Sequence, residues 1–405
     1  MIKLTPAMGW NTWNTFGREI SDKIIRETAD KLVETGLKDC GYDYLVIDDN
    51  WALPERDKNG RLVPDPERFP NGMKALSDYV HSKGLKFGMY SCAGYLTCVG
   101  RPASYEHEWV DAKTFAEWGV DFLKYDFCFS PKTTDPDLLY KRMGLALANC
   151  GRDILFSACS WGYDNTNIWI KETGAHMWRS TGDIFDAWGN LKEISQMTIE
   201  KLELNGQGCF NDLDMLIVGM HGKGHAAITG CTFEEYKLHF SLWALLGSPL
   251  FIGCDIRNMD EETKTILMNK DVIEIDQDPA YRQPFFANSF QFKPNENRGP
   301  KGPFYDPFYE KYPIDHPVIA RYLDNGDIAI GFFNFTDTDS AWSSNTALFD
   351  CLGIPATSNK NLLLKDLWTK EEFLAENGIV IPDKWPNFLK AHSCKLYRAK
   401  IVDKK

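Results

Sequence analysis

Short apolar runs alternate with helix-like segments along residues 1–282 of the chain. In a representative segment, residues 21–37, Ser21 is a good helix N-cap and apolar side chains recur at positions 25, 29, 32 and 33. The strand-like runs are residues 8–13, 44–49, 86–91, 122–127, 154–159, 176–181, 211–216 and 249–253. Eight strands alternating with helices predict a parallel sheet closed into a (β/α)8 barrel.

The pattern changes after Pro279. Residues 294–313 are rich in Pro and Gly, which predicts a long loop. Short β-rich runs with turn residues between them follow at 319–323, 327–335, 362–368, 378–382 and 394–402. Such runs are typical of an antiparallel sandwich. The sequence therefore predicts an α/β barrel domain over residues 1–282 and a C-terminal antiparallel β-sandwich domain over residues 283–405.

The charge of the chain limits its partners. A formal net charge of −12 and a pI near 5.2 oppose binding to nucleic acid or to anionic membranes. The N-terminal stretch MIKLTPAMGWNTW lacks the apolar region of a signal peptide, and no transmembrane span is visible. The expected partner is therefore a small molecule, and the choice between a monomer and a homo-oligomer stays open.

Cysteine usage indicates the redox compartment. The chain has 11 cysteines, an odd number, with no CxxC pair, and it is long enough to bury a core without disulfides. A reduced, cytoplasmic protein is the expectation from this pattern.

Charged and aromatic residues end many of the predicted strands. In a (β/α)8 barrel the carboxyl ends of the strands meet at one face, where the active site lies. One strand-terminal Asp is often only the cap of the next helix, but many polar endings without a phosphate-binding glycine loop indicate a pocket. Its carboxylates and aromatic walls suit a small neutral carbohydrate. The residues are Trp10, Trp13, Asp48, Asp49, Tyr90, Lys124, Asp126, Arg179 and Asp214.

Asp126 is the candidate nucleophile. A strand points Lys124 and Asp126 to the same face, where the lysine favours the ionised carboxylate. A buried ion pair that only fixes the barrel register is the structural alternative. In the stretch WRSTGDIFDAW, Asp183 is the candidate acid; Asp186 competes with it but is expected to cap or lead the next helix. A nucleophile and a separate acid are what retaining glycoside hydrolysis requires.

No metal and no cofactor are predicted. The sequence HGKGH at 221–225 contains two histidines, but no HExxH or Cys/His spacing accompanies it, so it is expected to be a loop. No Walker A or GxGxxG motif follows a strand, and a serine nucleophile elbow is absent.

Several motifs, in this order, resemble glycoside hydrolase family 27 of clan D, which contains α-galactosidases and α-N-acetylgalactosaminidases. They are TPAMGWNTW, YLVIDDNW, WGVDFLKYD, WRSTGDI, NDLDML and IDQDP, and the likeness covers essentially the whole chain. The resemblance implies a (β/α)8 barrel followed by a β-sandwich. It also implies a retaining, exo-acting hydrolase that releases terminal non-reducing α-linked galactose from oligosaccharides or glycoconjugates.

The resemblance also implies roles for individual residues. Asp126 is the implied nucleophile and Asp183 the implied acid/base. Asp48 and Asp49 are implied ligands of the sugar 4- and 6-hydroxyls, and Arg179 is expected to face the 2-position. The other implied pocket residues are Trp13 beneath the sugar, Tyr90 and Lys124 along the wall, and Asp214 and Met215 on the far side.

Two further features come from the same resemblance. Cys98 and Cys128 match a pair that is disulfide-bonded in secreted relatives, and a cytoplasmic location leaves their redox state open. Phe127 and Phe210 stand where the family usually has a small residue and Trp, and both changes are expected to affect substrate choice.

The sequence differs from the common pattern after the fifth predicted strand. Cys159-Ser160-Trp161 replaces the Cys-Glu-Trp of many α-galactosidases, and the small Ser160 resembles the version that leaves room for an acetamido group. An α-galactosidase is therefore the leading hypothesis, with α-N-acetylgalactosaminidase and β-L-arabinopyranosidase as alternatives. A non-catalytic sugar-binding protein is disfavoured, because both Asp126 and Asp183 are present.

Overall fold

The computed structural model describes residues 5–204, 206–287, 315–341, 345–355, 357–377 and 388–404. The predicted loop at 294–313 and the predicted strand at 378–382 lie outside these residues. Within them, the chain forms a parallel barrel followed by an antiparallel sheet domain, so the predicted fold class is confirmed.

The strands described in the barrel domain are β1 Met8–Asn11, β2 Tyr44–Val46, β3 Lys86–Cys92, β4 Phe122–Asp126, β5 Leu155–Ala158, β6 Met177–Arg179, β7 Asp186–Ala187, β8 Phe210–Asp212, β9 Ala227–Gly230 and β10 Leu250–Ile252. Eight of them adjoin in the order β10-β1-β2-β3-β4-β5-β6-β8, and β7 pairs separately with β9. A parallel bridge between Leu216 and Ile252 connects the chain after β8 to β10 and closes the ring. Each of the eight strands of the ring coincides with a predicted run.

Apolar side chains fill the inside of the barrel. Tyr44, Phe122 and Phe251 come from three different strands, and the ring centroids of Phe122 and Phe251 are 5.2 Å apart. Met177 and Phe210 belong to the same buried cluster. This packed interior leaves room for polar side chains only at the ends of the strands, as in other (β/α)8 barrels.

Helices cover the outside of the barrel. They are α1 Trp13–Phe16, α2 Asp22–Glu34, α3 Gly72–Ser82, α4 Glu108–Trp118, α5 Pro136–Ala148, α6 Thr166–Trp169, α7 Trp188–Ile199, α8 Phe233–Leu246, α9 Glu261–Leu267 and α10 Lys270–Asp276. Helix α2 begins where the sequence predicts, since the Ser21 hydroxyl accepts the N–H of Ile24. Among the described helices, none has the length and apolarity needed to cross a bilayer.

The second domain is built from β11 Phe285–Phe286, β12 Val318–Tyr322, β13 Ile328–Asn334, β14 Ser340–Ala341, α11 Asn345–Cys351, β15 Lys360–Asp366, β16 Glu372–Ala375, β17 Phe388–Leu389 and β18 Ser393–Asp403. A six-stranded antiparallel sheet has the order β11-β12-β13-β18-β15-β16, and β14 pairs with β17. The boundary between residues 282 and 283 stays a prediction, because α10 ends at Asp276 and β11 begins at Phe285.

Helix α8 joins the two domains. Leu245 on α8 belongs to the same buried cluster as Phe333 of β13 and Leu396 of β18. Gly331 permits this close approach, because a Cβ atom at that position would lie 2.7 Å from Leu245. The Trp368 indole N–H also donates to the Ser241 hydroxyl at 3.0 Å. The barrel and the sheet domain therefore share one apolar core.

Candidate active site

A cavity of about 250 Å³ opens at the carboxyl ends of the barrel strands, the face that carries the active site in enzymes of this fold. It is lined by the predicted site residues except Trp10, Cys159 and Ser160. Trp10 is fully buried, and its indole N–H donates to the carbonyl oxygen of Cys254 at 2.8 Å. The lining consists of Trp13, Asn14, Asp48, Asp49, Tyr90, Cys98, Lys124, Asp126, Cys128, Trp161, Arg179, Asp183, Ile184, Phe185, Asp214, Met215, His225 and Ala226.

Lys124 forms an ion pair with Asp48 in the cavity. The lysine Nζ lies 2.9 Å from Asp48 Oδ2, which also accepts a hydrogen bond from Asn11 at 2.8 Å. Burial opposes the charge of the lysine, but the Asp48 carboxylate raises the pKa of Lys124 well above its ordinary value. The ammonium group therefore stays charged, and it acts on Asp126 only through space.

Asp126 is buried at the end of β4, with 6% of its surface exposed. Its Oδ1 accepts the N–H of Phe127 at 2.9 Å, and its Oδ2 accepts the Tyr90 hydroxyl at 3.2 Å. Burial raises the pKa of Asp126 to about 6; Lys124 lowers it, and the negative charge of Asp183 raises it again. At neutral pH the carboxylate is mostly ionised, as a nucleophile requires.

Arg179, at the end of β6, holds two carboxylates. Its Nη2 lies 3.0 Å from Asp183 Oδ1 and 3.0 Å from Asp214 Oδ2. Asp214 Oδ2 also accepts the N–H of Ile184 at 2.7 Å, which fixes the loop that carries Asp183 to the chain after β8. The Asp183 side chain is 55% exposed. Its position at the cavity therefore depends on Arg179 and on the loop rather than on close packing.

The pKa of Asp183 moves in the opposite direction from that of Asp126. Desolvation raises the pKa of Asp183, but the charges of Arg179 and Lys124 lower it more, so that it lies below the ordinary value. In the free protein, a proton shared between the two carboxyl groups therefore favours Asp126.

Cys159 and Ser160 lie outside the cavity. Cys159 borders a smaller space of about 30 Å³ below it, and its sulfur lies 3.8 Å from Arg179 Nη1. Ser160 is fully buried, and its hydroxyl is 2.7 Å from that of Thr166. The cavity wall is formed instead by Trp161, whose backbone adopts a φ of 54°. Ser160 itself does not line the cavity, so the expectation that its small side chain leaves room there for an acetamido group is corrected.

We expect Ser160→Glu to destabilise the fold and to leave sugar selectivity unchanged. The substitution places a carboxylate in a fully buried position next to Thr166, at a cost of roughly 3 kcal/mol or more. Ser160→Ala is the matched control and should cost only about 1 kcal/mol. Thermal unfolding measures both. An intact melting temperature with an altered ratio of α-galactosidase to α-N-acetylgalactosaminidase activity would restore the original interpretation.

Phe127 and Phe210 also lie away from the cavity. The Phe127 ring stacks on Tyr140 with centroids 6.0 Å apart and contacts the cavity-wall residue Trp161 edge-on at 6.5 Å. Phe210 belongs to the barrel interior and contacts Tyr281 edge-on at 5.2 Å. Neither is among the lining residues, so the expectation that both change the substrate pocket directly is corrected. Phe210 changes the barrel core, and Phe127 packs behind the wall residue Trp161.

Asp186 is a structural carboxylate. It is fully buried and accepts hydrogen bonds from the Tyr236 hydroxyl at 2.9 Å and from the N–H groups of Gly222 at 2.7 Å and Cys231 at 3.1 Å. Asp186 does not cap α7, because the N-cap is Ala187 and makes no side-chain bond, but it directly precedes that N-cap and so leads into the helix, the other predicted alternative. Asp186 instead holds the loop before β9 against the barrel.

Five lining residues were not predicted from the sequence: Asn14, Ile184, Phe185, His225 and Ala226. The HGKGH segment is a loop, as predicted, but it brings the His225 ring to 4.8 Å from Trp13, edge-on. Gly224 makes this possible, because a Cβ there would lie 2.9 Å from the carbonyl oxygen of Asn14. The glycines in HGKGH could have indicated this from the sequence, because glycine is the residue that lets a loop approach another backbone closely.

A disulfide between Cys98 and Cys128 forms part of the cavity wall. Cys98 lies in the loop after β3, and Cys128 follows Asp126 by two residues. The Tyr90 hydroxyl lies 3.2 Å from the Cys98 sulfur, so one phenol contacts both the disulfide and Asp126. Among the described residues, nine other cysteines are free thiols.

The cavity combines two carboxyl groups that influence each other's ionisation with aromatic walls and ion-paired side chains, at the catalytic face of a (β/α)8 barrel. Fold and site together define a glycoside hydrolase. The chain matches the family described as alpha galactosidase A over residues 5–278 and the alpha galactosidase C-terminal beta sandwich domain over residues 314–399. It belongs to the α-galactosidase family, glycoside hydrolase family 27.

Individual relatives agree with this assignment. The α-galactosidase of Cyamopsis tetragonoloba is 49% identical over 97% of this chain and 85% of its own length. α-Galactosidase 2 of Arabidopsis thaliana is 48% identical over 98% of this chain and 89% of its own. The crystal structure of α-galactosidase I from Mortierella vinacea has a TM-score of 0.82 at 31% identity and covers 98% of this chain and 97% of that one.

Proposed function

We propose that this α-galactosidase releases terminal, non-reducing α-linked galactose by a retaining double displacement, with Asp126 as the nucleophile and Asp183 as the acid/base. The observation that carries the proposal is that both carboxylates line one cavity, where the charge of Asp183 raises the pKa of Asp126. The anomeric configuration of the galactose that is released first tests the retaining mechanism. Proton NMR of the reaction at early times should detect α-galactose, and β-galactose as the first product would refute a retaining mechanism.

The proposed chemistry has two steps at the anomeric carbon. In the first, an oxygen of Asp126 attacks C1 while Asp183 gives its proton to the departing glycosidic oxygen. In the second, Asp183 takes a proton from water, whose oxygen attacks C1 and releases galactose and the Asp126 carboxylate. The Tyr90 hydroxyl, 3.2 Å from Asp126 Oδ2, stabilises the carboxylate as it departs.

Substrate binding must reverse the order of the two pKa values. A galactose hydroxyl that bonds to Arg179 weakens the contact between Arg179 and Asp183, and the aglycone shields Asp183 from water. Both changes raise the pKa of Asp183 and place the proton where the acid needs it. Glycosylation of Asp126 then removes a negative charge, which lowers the pKa of Asp183 and converts it into a base.

We expect kcat/KM for an α-galactoside to have a bell-shaped pH profile. Its upper limb should lie near pH 6, where the carboxyl pair loses its single proton, and its lower limb below pH 3.8, where both carboxyl groups become protonated. Initial rates at low substrate concentration across acidic and neutral pH measure the profile. A kcat/KM that continues to rise above pH 6 would contradict this assignment of the pair.

The choice of sugar also belongs to the proposal. Asp48 and Asp49 line the cavity and are proposed to bind the 4- and 6-hydroxyls of galactose. The burial of Ser160 removes the observation that favoured an acetamido sugar. A panel of p-nitrophenyl α-galactoside, α-N-acetylgalactosaminide and β-L-arabinopyranoside should show the highest kcat/KM for the α-galactoside. A higher value for either of the others would assign that sugar instead.

A cytoplasmic, reducing location is likewise proposed. Among the described cysteines, Cys40, Cys150 and Cys351 are only partly buried and remain free thiols, which supports it because oxidising compartments tend to pair accessible cysteines. The Cys98–Cys128 disulfide is the opposing observation. Fractionation of the producing cells measures the location directly, and activity found only outside the cytoplasm would exclude it.

A further inference from the structure

Cys98, Cys128 and Asp126 bring three ligand atoms together in the cavity wall. The two sulfur atoms and one carboxylate oxygen all lie within 4.8 Å of one another. Within the described parts of the chain, this is the group of three His, Cys, Asp or Glu side chains close enough to share a metal ion. The buried Tyr90 hydroxyl contacts two of the three, at 3.2 Å from Cys98 Sγ and 3.2 Å from Asp126 Oδ2.

The donor atoms suit a soft divalent cation once the disulfide is open. Two thiolates and a carboxylate are a ligand set that Zn²⁺ and Cd²⁺ accept, with the fourth tetrahedral position facing the cavity. The Cα atoms of the two cysteines are 5.2 Å apart, so both sulfurs can reach one ion without a large backbone movement. Tyr90, by its hydrogen bond to Asp126, would orient the carboxylate ligand.

We propose that reduction of the Cys98–Cys128 disulfide creates a site for one soft divalent cation, bound by both thiolates and by Asp126, and that the bound ion inhibits the enzyme. The inhibitory part rests on the proposed function, because the ion occupies the carboxylate assigned as the nucleophile. The disulfide form has no thiolate to offer at this site and does not bind the ion there. Oxidation of this pair therefore protects the active site from metal.

The redox step needs an external reductant. A phosphine and one water molecule convert the disulfide into two thiols while the phosphine becomes its oxide, a transfer of two electrons to sulfur. A divalent cation then displaces the two thiol protons and binds the two thiolates. An oxygen of the Asp126 carboxyl group completes the three protein ligands.

Cadmium binding to the full chain tests the proposal. The protein is reduced with a phosphine, separated from it without oxygen, and titrated with Cd²⁺ while the ultraviolet thiolate-to-cadmium absorbance and the α-galactosidase activity are recorded. We expect one tightly bound Cd²⁺ per chain and a loss of activity of roughly tenfold or more as the site fills. EDTA should restore the activity. The disulfide form should show neither the absorbance nor the inhibition.

Three variants make the site assignment specific. The double variant Cys98→Ser, Cys128→Ser should lose the tight site. Cys150→Ser is the matched control and should keep it, because Cys150 is a half-buried free thiol between α5 and β5 and does not line the cavity. Asp126→Asn should retain the absorbance but bind Cd²⁺ roughly tenfold more weakly or worse, since one ligand is lost.

Several outcomes would overturn the proposal. They are equally tight binding by the double serine variant, full activity of the reduced enzyme at saturating Cd²⁺, and inhibition that EDTA does not reverse, which would indicate unfolding. The absorbance is recorded without substrate, so it reports on the metal site alone. An active Asp126→Asn variant would refute the proposed function and would leave the absorbance result intact.

Discussion

Asp126→Asn should abolish turnover of α-galactosides and leave the fold intact. Removal of a nucleophile that forms a covalent intermediate costs at least about 10⁴-fold in kcat/KM. Asn has nearly the same volume, and its amide oxygen can still accept the N–H of Phe127.

The same substitution should also change the stability of the fold. Ionisation of Asp126 destabilises the folded protein as pH rises from 3.8 through about 6, because burial raises the pKa of this carboxyl group. The neutral variant should therefore be more stable at pH 7, by up to about 3 kcal/mol.

Asp212→Asn is the matched control for this experiment. Asp212 is also buried at the end of a barrel strand, and burial raises its pKa to about 6 as well, but it is not among the residues that line the main cavity. Its replacement should affect activity far less than that of Asp126. Azide should rescue Asp126→Asn and give β-galactosyl azide. Near-native activity of Asp126→Asn, or an equal loss in both variants, would remove Asp126 from the role of nucleophile.

Asp183→Ala should slow substrates according to their leaving groups. An alkyl α-galactoside needs protonation of its leaving oxygen and should lose roughly 10²- to 10⁴-fold in kcat/KM, whereas an activated aryl galactoside should lose much less. The upper limb of the pH profile should also disappear for the aryl substrate, since no acid remains to be deprotonated. Steady-state kinetics with the two substrates measures both effects.

Asp186→Asn separates this catalytic effect from a structural one. Asp186 accepts hydrogen bonds from Tyr236, Gly222 and Cys231, so its replacement should lower the melting temperature and affect both substrates equally. Equal losses on both substrates in Asp183→Ala, together with a leaving-group dependence in Asp186→Asn, would exchange the two assignments.

Local sequence patterns predicted the barrel because each strand is a short apolar run bounded by a helix. The same patterns predicted most of the cavity, since the last residues of parallel strands meet at one face whatever the loops do. Asp126, Arg179 and Asp214 were accessible to this reasoning because each ends its strand or follows it within two residues.

Contacts between distant parts of the chain were not predictable in this way. Lys124 is two residues from Asp126, but its salt bridge is to Asp48, 76 residues earlier in the chain. His225 reaches Trp13 only because a loop closes over the barrel after β8. Both contacts depend on how strands and loops adjoin in three dimensions, which no local pattern contains.

The direction of a side chain just after a strand was also out of reach. The family resemblance placed Ser160 near the sugar, but β5 ends at Ala158 and the chain turns at Trp161. The ionisation of the site was missed for a related reason. The neighbouring lysine suggested a low pKa for Asp126, and the burial that outweighs the lysine becomes apparent only when the whole cavity is formed.

Trapping of the covalent intermediate tests the central claim most directly. A fluorinated galactosyl fluoride that forms the glycosyl-enzyme quickly and hydrolyses slowly is incubated with the protein, and the proteolytic peptides are sequenced by mass spectrometry. The account predicts one fluorogalactosyl adduct per chain, attached to Asp126. An adduct on Asp183 or on any other residue would contradict it.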